Sequence, residues 1–468
     1  MEFASANFIF IFLPAVFLLY LAIPVKQARN WLLIAASLVF YAWGQLYYVL
    51  LMVFSSAVNC FLALFIAKAG EGKAAKALLV TAIVFNIGLL AVFKYAAFAV
   101  ETINGIFGSS LAVPAIASPI GISFFTFQAL SYIIDTYRKD IVPTKNFGKF
   151  LLYISFFAQL VQGPIIRYST IEKELDERRL TAEGVAEGLR LFVIGLAMKL
   201  IVANTLGRVS SFVYAIDASE LNTAYAWTGA IAFLLQIYFD FAGYSQMAIG
   251  LGKMFGFTIP QNFNYPYIAY SMTDFWRRWH ITLSRWFRDY VYIPMGGNRK
   301  GALRTGLNKI VVFLLTGLWH GANWTFVVWG AYNGAFLLGE NYVKKTKLRI
   351  PKPITWIYTI IAVTVGFAIF NSPDMAYAWA MIRNMFAFTA IDGATVARLS
   401  ALFKPTVIVV FAVSVIAATP IAKIVCEKLD KKPVLQAVLR YGAAVALFVL
   451  CMFFLASGNF NPSIYTQF

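Results

Sequence analysis

The chain of 468 residues contains two histidines, His280 and His320, and both fall in one stretch dense in aromatic and basic residues. The stretch opens with SMTDFWRRWHITLSRWFRDYVYIPMGGNRKG at 271–301 and continues, past a short basic linker, into VVFLLTGLWHGANWTFVVWG at 311–330. Histidine is the side chain best matched to proton transfer near neutral pH. His320 lies within an apolar run, flanked by Trp319 and Gly321, with Thr316 one turn earlier. An ionisable group at membrane depth is costly and therefore marks a candidate functional site. On these residues alone, a neutral histidine bonded to a neighbouring carbonyl explains His320 equally well.

The residues from Phe275 to Tyr290 read as one amphipathic helix lying along a membrane interface. Arg277, Ser284, Arg285 and Arg288 project to one side, and Phe275, Trp279, Trp286 and Tyr290 to the other. Asp274–Arg278 and Arg285–Asp289 are spaced to pair along it. A turn at Met295-Gly296-Gly297-Asn298-Arg299-Lys300 follows, where the glycines permit close backbone approach. Arg277, Arg278, Arg285, Arg288, Arg299, Lys300, Arg304 and Lys309 form a cationic collar. With Asn298, such a collar suits a phosphate-bearing donor such as a coenzyme A thioester, because guanidinium pairs with phosphate bidentately. Two histidines forty residues apart, with no adjacent cysteine or carboxylate pair, fall short of a metal ligand set.

These residues need a scaffold, and composition says which kind. Sixty per cent of the residues are hydrophobic and 13% charged, and the mean hydropathy is +0.72. A soluble chain carries about a quarter charged residues. Apolar runs at 8–25, 31–44, 46–67, 77–100, 119–136, 191–206, 224–248, 353–371, 405–422 and 435–457 predict membrane helices, and 310–342 has room for two more. The expectation is an all-α polytopic membrane protein of eleven or twelve segments, one domain over 1–468 with its catalytic core at 119–342. Residues 150–166 look re-entrant, broken at Gly163-Pro164. Residues 372–404 should hold an interfacial helix, and 167–190 a helical excursion on the cytoplasmic side.

The net charge of +18 is read as basic loops facing anionic lipid rather than nucleic acid. Basic connectors after the first, third and fifth runs put the N-terminus outside the membrane, and the uncharged tail at 458–468 should lie outside too. The first run lacks a basic leader and reads as a retained span. Cys60, Cys426 and Cys451 show neither metal spacing nor a disulfide framework. Asp240 and Lys94 lie at membrane depth, where an interhelical pair or a snorkelling group is the favoured reading over a proton path.

WRRWHITLSRWFRDYVYIPMGGNR followed by GLWHGANWTFVVWG resembles the bacterial membrane-bound O-acyltransferases, in the branch that acetylates alginate. FNIGLLAVFKYAAF, PIGISFFTFQALSYIIDTYR, FFAQLVQGPIIRY, QIYFDFAGYSQMAIG, FNSPDMAYAWAMIRNMF and the tail FNPSIYTQF extend the likeness over nearly the whole chain. The resemblance implies helices around a funnel or tunnel, and transfer of an acyl group from a cytoplasmic thioester to a hydroxyl on the outer side. It makes His320 the catalytic histidine and His280 its upstream partner. It implies acetyl-CoA as donor substrate rather than bound cofactor, periplasmic acetyl-transfer partners, and an exported polysaccharide as acceptor. Tyr465 resembles a C-terminal tyrosine that relays acyl groups, although Thr466 departs from the aromatic residue common there; an interfacial anchor is the other reading. No G-x-S-x-G pattern is present, which favours direct transfer. Peptidoglycan O-acetylation, D-alanylation of teichoic acid and non-catalytic transport are the alternatives, and paired broken helices in two matching halves, expected of a transporter, are not seen.

Overall fold

The computed structural model describes residues 1–346, 350–428, 433–458 and 464. The described residues are predominantly helical, and no strand occurs among them. Lys26–Ala69, Lys73–Phe107, Gly301–His320, Lys352–Asn371 and Val434–Ala456 are long and apolar enough to cross a membrane. A sixth crossing arises if Gly393–Leu402 and Pro405–Ala417, bent by 77°, form one span. The other apolar runs form helices outside this set, for two physical reasons. Some runs fold into helices too short to span unaided, such as Ile122–Arg138 with 17 residues. Others carry charges, such as Ala182–Tyr214 with Arg190, Lys199 and Arg208.

The chain forms two compact units. The first comprises Met1–Phe192 and Ser245–Pro260. Its longest helix, Lys26–Ala69, breaks at Gln45, the residue between two predicted runs. The break frees the Gln45 side chain to accept from the Ile120 N–H at 2.7 Å and donate to the Ser118 carbonyl at 3.3 Å. Asn59 and Asn86 exchange amide hydrogen bonds across neighbouring helices, satisfying polar groups that lipid would leave bare. Ile122–Arg138 is buried over most of its length. Phe147–Ser155 and Phe157–Leu160 end in a turn at 161–163, as the Gly163-Pro164 break predicts. The 167–190 excursion is helical at Tyr168–Asp176 and again from Ala182. It is clamped by Arg178, which donates to the Tyr20 hydroxyl at 3.1 Å and to Asn30 Oδ1 and lies 4.4 Å from the centre of the Phe257 ring.

The second unit comprises Val193–Tyr244 and Gln261–Phe468. Gly301–His320 and Trp324–Lys345 form its central hairpin. Their approach is set by glycine: a Cβ on Gly317 would strike the Phe326 carbonyl, and one on Gly330 the Phe313 carbonyl. Such small-residue contacts let helix backbones meet in lipid. The 372–404 stretch is helical at Met375–Phe386 and Gly393–Leu402. Cys60 and Cys451 are buried free thiols, and Cys426 is an exposed one.

Candidate active site

Both histidines lie in the second unit, but the segment bearing His280 differs from the continuous amphipathic helix expected of it. Two short helices, Met272–Arg278 and Ile281–Phe287, meet at His280, whose φ is +42°. A branched-at-Cβ-free but bulky L-residue adopts this left-handed geometry only when its surroundings impose it. Asn262 supplies the constraint. Its carbonyl accepts the Ile281 N–H at 2.9 Å, and its side-chain Oδ1 accepts from the Thr282 N–H at 3.1 Å and the Thr282 hydroxyl at 2.8 Å. The faces differ too: Phe275, Trp279, Trp286 and Tyr290 are buried in protein rather than laid in an interface.

The same Asn262 Oδ1 lies 3.2 Å from His280 Nδ1. Because a backbone N–H already fixes that oxygen as an acceptor, Nδ1 must carry the proton. Nε2 is then the lone-pair nitrogen, and it has no hydrogen-bond partner among the described residues. His280 is fully buried, and burial pushes its pKa down to about 3. The imidazole is therefore neutral under physiological conditions. Its ring packs edge-on against Phe241 at 4.6 Å and against Trp319 at 5.7 Å.

His320 is the last residue of Gly301–His320 and is 3% exposed. Trp329 and Phe370 stand edge-on to its ring, each at 5.2 Å between centroids. Gly321 follows; a Cβ there would collide with the Phe326 ring, so the chain can leave the helix under that ring only as glycine. Trp319 touches both imidazoles, at 5.0 Å from His320, and so links the two histidines in one aromatic cluster.

A cavity of about 240 Å³ approaches this cluster. Lys309, Val312, Phe313 and Thr316 line it along successive turns of the His320 helix, and His320 lies one turn further along that helix, outside the lining. Trp276 and Phe287 contribute apolar wall, and Arg277, Arg288 and Lys309 contribute cationic groups. Of the predicted donor-binding residues, the structure therefore brings Arg277 and Arg288 to the cavity, with Lys309 from the wider collar. Arg285, Asn298, Arg299 and Lys300 are exposed and lie outside its lining. Arg278 is turned to structure: it pairs with Asp274 at 3.1 Å, as spacing predicts, and donates to the Asn264 carbonyl at 3.3 Å. Arg288 also pairs with Asp289, at 2.6 Å. Tyr465 lies outside the described residues.

Three positioning residues escaped the sequence reading. Asn262 is one. Glu340 is another: its carboxylate accepts from the Met272 and Thr273 N–H groups and the Thr273 hydroxyl, so it caps the helix bearing Arg277. Asn308, fully buried, donates to the Gly297 carbonyl at 3.0 Å and holds the glycine turn. All three act on an element other than their own, where no helical period flags them.

Comparison with known proteins converges on the same segments. Residues 114–372 match the family model of the membrane-bound O-acyltransferases, a range that holds both histidines and the whole cavity lining. The chain is 41% identical over 394 residues to the "Probable alginate O-acetylase" of Azotobacter vinelandii, covering 83% of this chain and 78% of that protein. It is 34% identical over 426 residues to the peptidoglycan O-acetyltransferase of Helicobacter pylori, covering 83% and 80%. Identity to the teichoic acid D-alanyltransferase of Bacillus subtilis is 28% over 268 residues, 53% of this chain and 65% of that one.

Proposed function

This chain belongs to the membrane-bound O-acyltransferase family and is a membrane-embedded O-acyltransferase, and from that premise we propose that it moves an acetyl group from acetyl-CoA, or a similar cytoplasmic thioester, toward hydroxyls of an exported polysaccharide. The observation that carries the reading is the cavity. Its cationic residues suit the phosphates of a thioester donor, its apolar wall suits an acyl-bearing arm, and Thr316 in its lining lies one helical turn from a buried histidine.

In this reading His320 is the general base. It takes the proton of the acceptor hydroxyl as that oxygen attacks the thioester carbonyl. The carbon–sulfur bond then breaks, and the departing thiolate receives the proton from His320. A positioned base supplies about 10²–10⁴ in rate. With its Nδ1 proton committed to Asn262, His280 acts as an acceptor through Nε2. It is suited to orient an N–H or O–H of a substrate and not to donate to an oxyanion.

The reading includes eleven or twelve membrane segments around a funnel, one catalytic domain over 1–468, both termini outside an inner membrane, and extracytoplasmic transfer partners. The alginate-type acceptor rests on the Azotobacter relative, and the Helicobacter relative supports the peptidoglycan alternative. Pure transport finds no support, since these relatives are named as transferases. Tyr465 would serve as an acyl relay, and Tyr465→Phe, which keeps the ring and loses the hydroxyl, tests that part: undiminished polymer acetylation ends it.

The donor assignment is tested with purified protein in lipid nanodiscs, supplied with acetyl-CoA and acceptor oligosaccharide, by following thiol release. Release above the protein-free rate is expected. No release from acetyl-CoA, with release from a D-alanyl carrier-protein thioester, would move the protein to the D-alanylation reading.

A further inference from the structure

Two long apolar helices of the first unit lose their regular course beside one loop. Lys26–Ala69 breaks at Gln45, whose side chain holds the Ile120 N–H and the Ser118 carbonyl. Three residues on, the Tyr48 hydroxyl donates to the Ala117 carbonyl at 2.5 Å. In the helix Lys73–Phe107, the segment Ala91–Tyr95 is π-helical, and its Lys94 donates to Ser123 Oγ at 3.3 Å. Short π segments and broken helices in membrane proteins recur at ligand sites. Ser123 lies in the first turn of Ile122–Arg138, where unpaired N–H groups give a partial positive charge. Thr126 stands one turn further on, on the face that carries Ser123. Thr126 is fully buried, yet its hydroxyl has no hydrogen-bond partner among the described residues. A buried hydroxyl left so is destabilising unless something else completes its bond. The loop 108–121 leads into this helix, is exposed at 111–113 and 115–117, and contributes no acid, since none of its residues is charged.

We propose that Lys94, Ser123 and Thr126, at the start of Ile122–Arg138, form a binding site for a monovalent carboxylate. One ammonium matches one negative charge, and the two hydroxyls supply donors for a pair of carboxylate oxygens. A phosphate dianion would bring a second buried charge with no cation from these residues to meet it. Two sources present this chemistry: a small free acid such as acetate, and a uronate unit of an acidic polysaccharide. The site lies within the first unit and is measurable whatever His320 does.

The test uses the full-length protein in lipid nanodiscs with trifluoroacetate as the probe and its fluorine NMR linewidth as the readout. The expected result is broadening that acetate reverses and chloride at equal ionic strength does not. Reversal by methyl glucuronide as well assigns the site to a uronate, and reversal by acetate alone assigns it to a free acid. Thr126→Val keeps the shape and removes only the unsatisfied hydroxyl, so it should fold normally and weaken binding about tenfold. Lys94→Met should weaken binding further. No broadening by the wild type, displacement by chloride as readily as by acetate, or equal binding by the wild type and both variants overturns the proposal. If Lys94→Met fails to fold, Thr126→Val decides, and undiminished affinity in that variant overturns the site.

Discussion

His280 is held at φ +42° by an asparagine eighteen residues earlier in the chain. Left-handed backbone at such a residue costs on the order of 1–2 kcal/mol, offset here by three hydrogen bonds to one amide oxygen. Asn262→Ala removes that acceptor. It should lower turnover by roughly one to two orders of magnitude, at or below what a base supplies, and destabilise the protein by about 1–3 kcal/mol. Steady-state kinetics and thermal unfolding in detergent check both. Burial sets the pH response of His280. Its folded pKa of about 3 lies below the ordinary value of 6.5, so the unfolded chain binds the extra proton between those limits. The contribution to stability is complete above pH 6.5 and is lost as pH falls toward 3. His280→Asn should therefore flatten the decline of unfolding temperature between pH 6.5 and 4.5, and an unchanged slope would deny the buried neutral imidazole. Both histidines were legible in the sequence because they stand alone in an apolar, aromatic stretch. The break at His280 was not, because the helical period runs unbroken through it. The cause is a tertiary contact from Asn262, with no glycine or proline to announce it.

The hairpin Gly301–His320/Trp324–Lys345 is the element that sets His320 against Trp329. Gly317 and Gly330 each face a backbone carbonyl of the opposite helix, whereas nothing lies within 4 Å of a Cβ on Gly339. Gly330→Ala should then cost about 1–3 kcal/mol through overpacking and lower the unfolding temperature. Gly339→Ala on the same helix should leave it unchanged. Equal effects from the two would mean that helix propensity, not backbone approach, governs the hairpin. Helix existence was largely readable from apolar runs, including the division of Lys26–Ala69 at Gln45. Which apolar helices pack inside the protein was not. Ile122–Arg138 is apolar because it is buried among other helices, and a sequence window cannot distinguish burial in protein from burial in lipid.

Across the whole molecule, the charge of +18 gives a strongly basic protein, yet few of its cations reach the cavity. Arg277 and Lys309 do, and Arg299 does not. Arg277→Gln and Lys309→Gln should raise the KM for a phosphate-bearing thioester by about tenfold, with kcat little changed, as expected when uniform binding is lost. Arg299→Gln should alter neither constant. An equal effect from all three would mean that diffuse charge, not the cavity, attracts the donor. The sequence showed a collar; convergence of two of its arginines and a lysine on one cavity depends on how the short helices dock through Glu340 and Asn308, and that is a tertiary property. The central claim is that His320 performs the transfer chemistry. The most direct test is the O-acetyl content of exported polymer from cells carrying wild type or His320→Ala at equal membrane abundance. The account predicts acetylation reduced to the level of cells lacking the protein. Wild-type acetylation in the His320→Ala cells would contradict it and leave His320 a packing residue of the aromatic cluster.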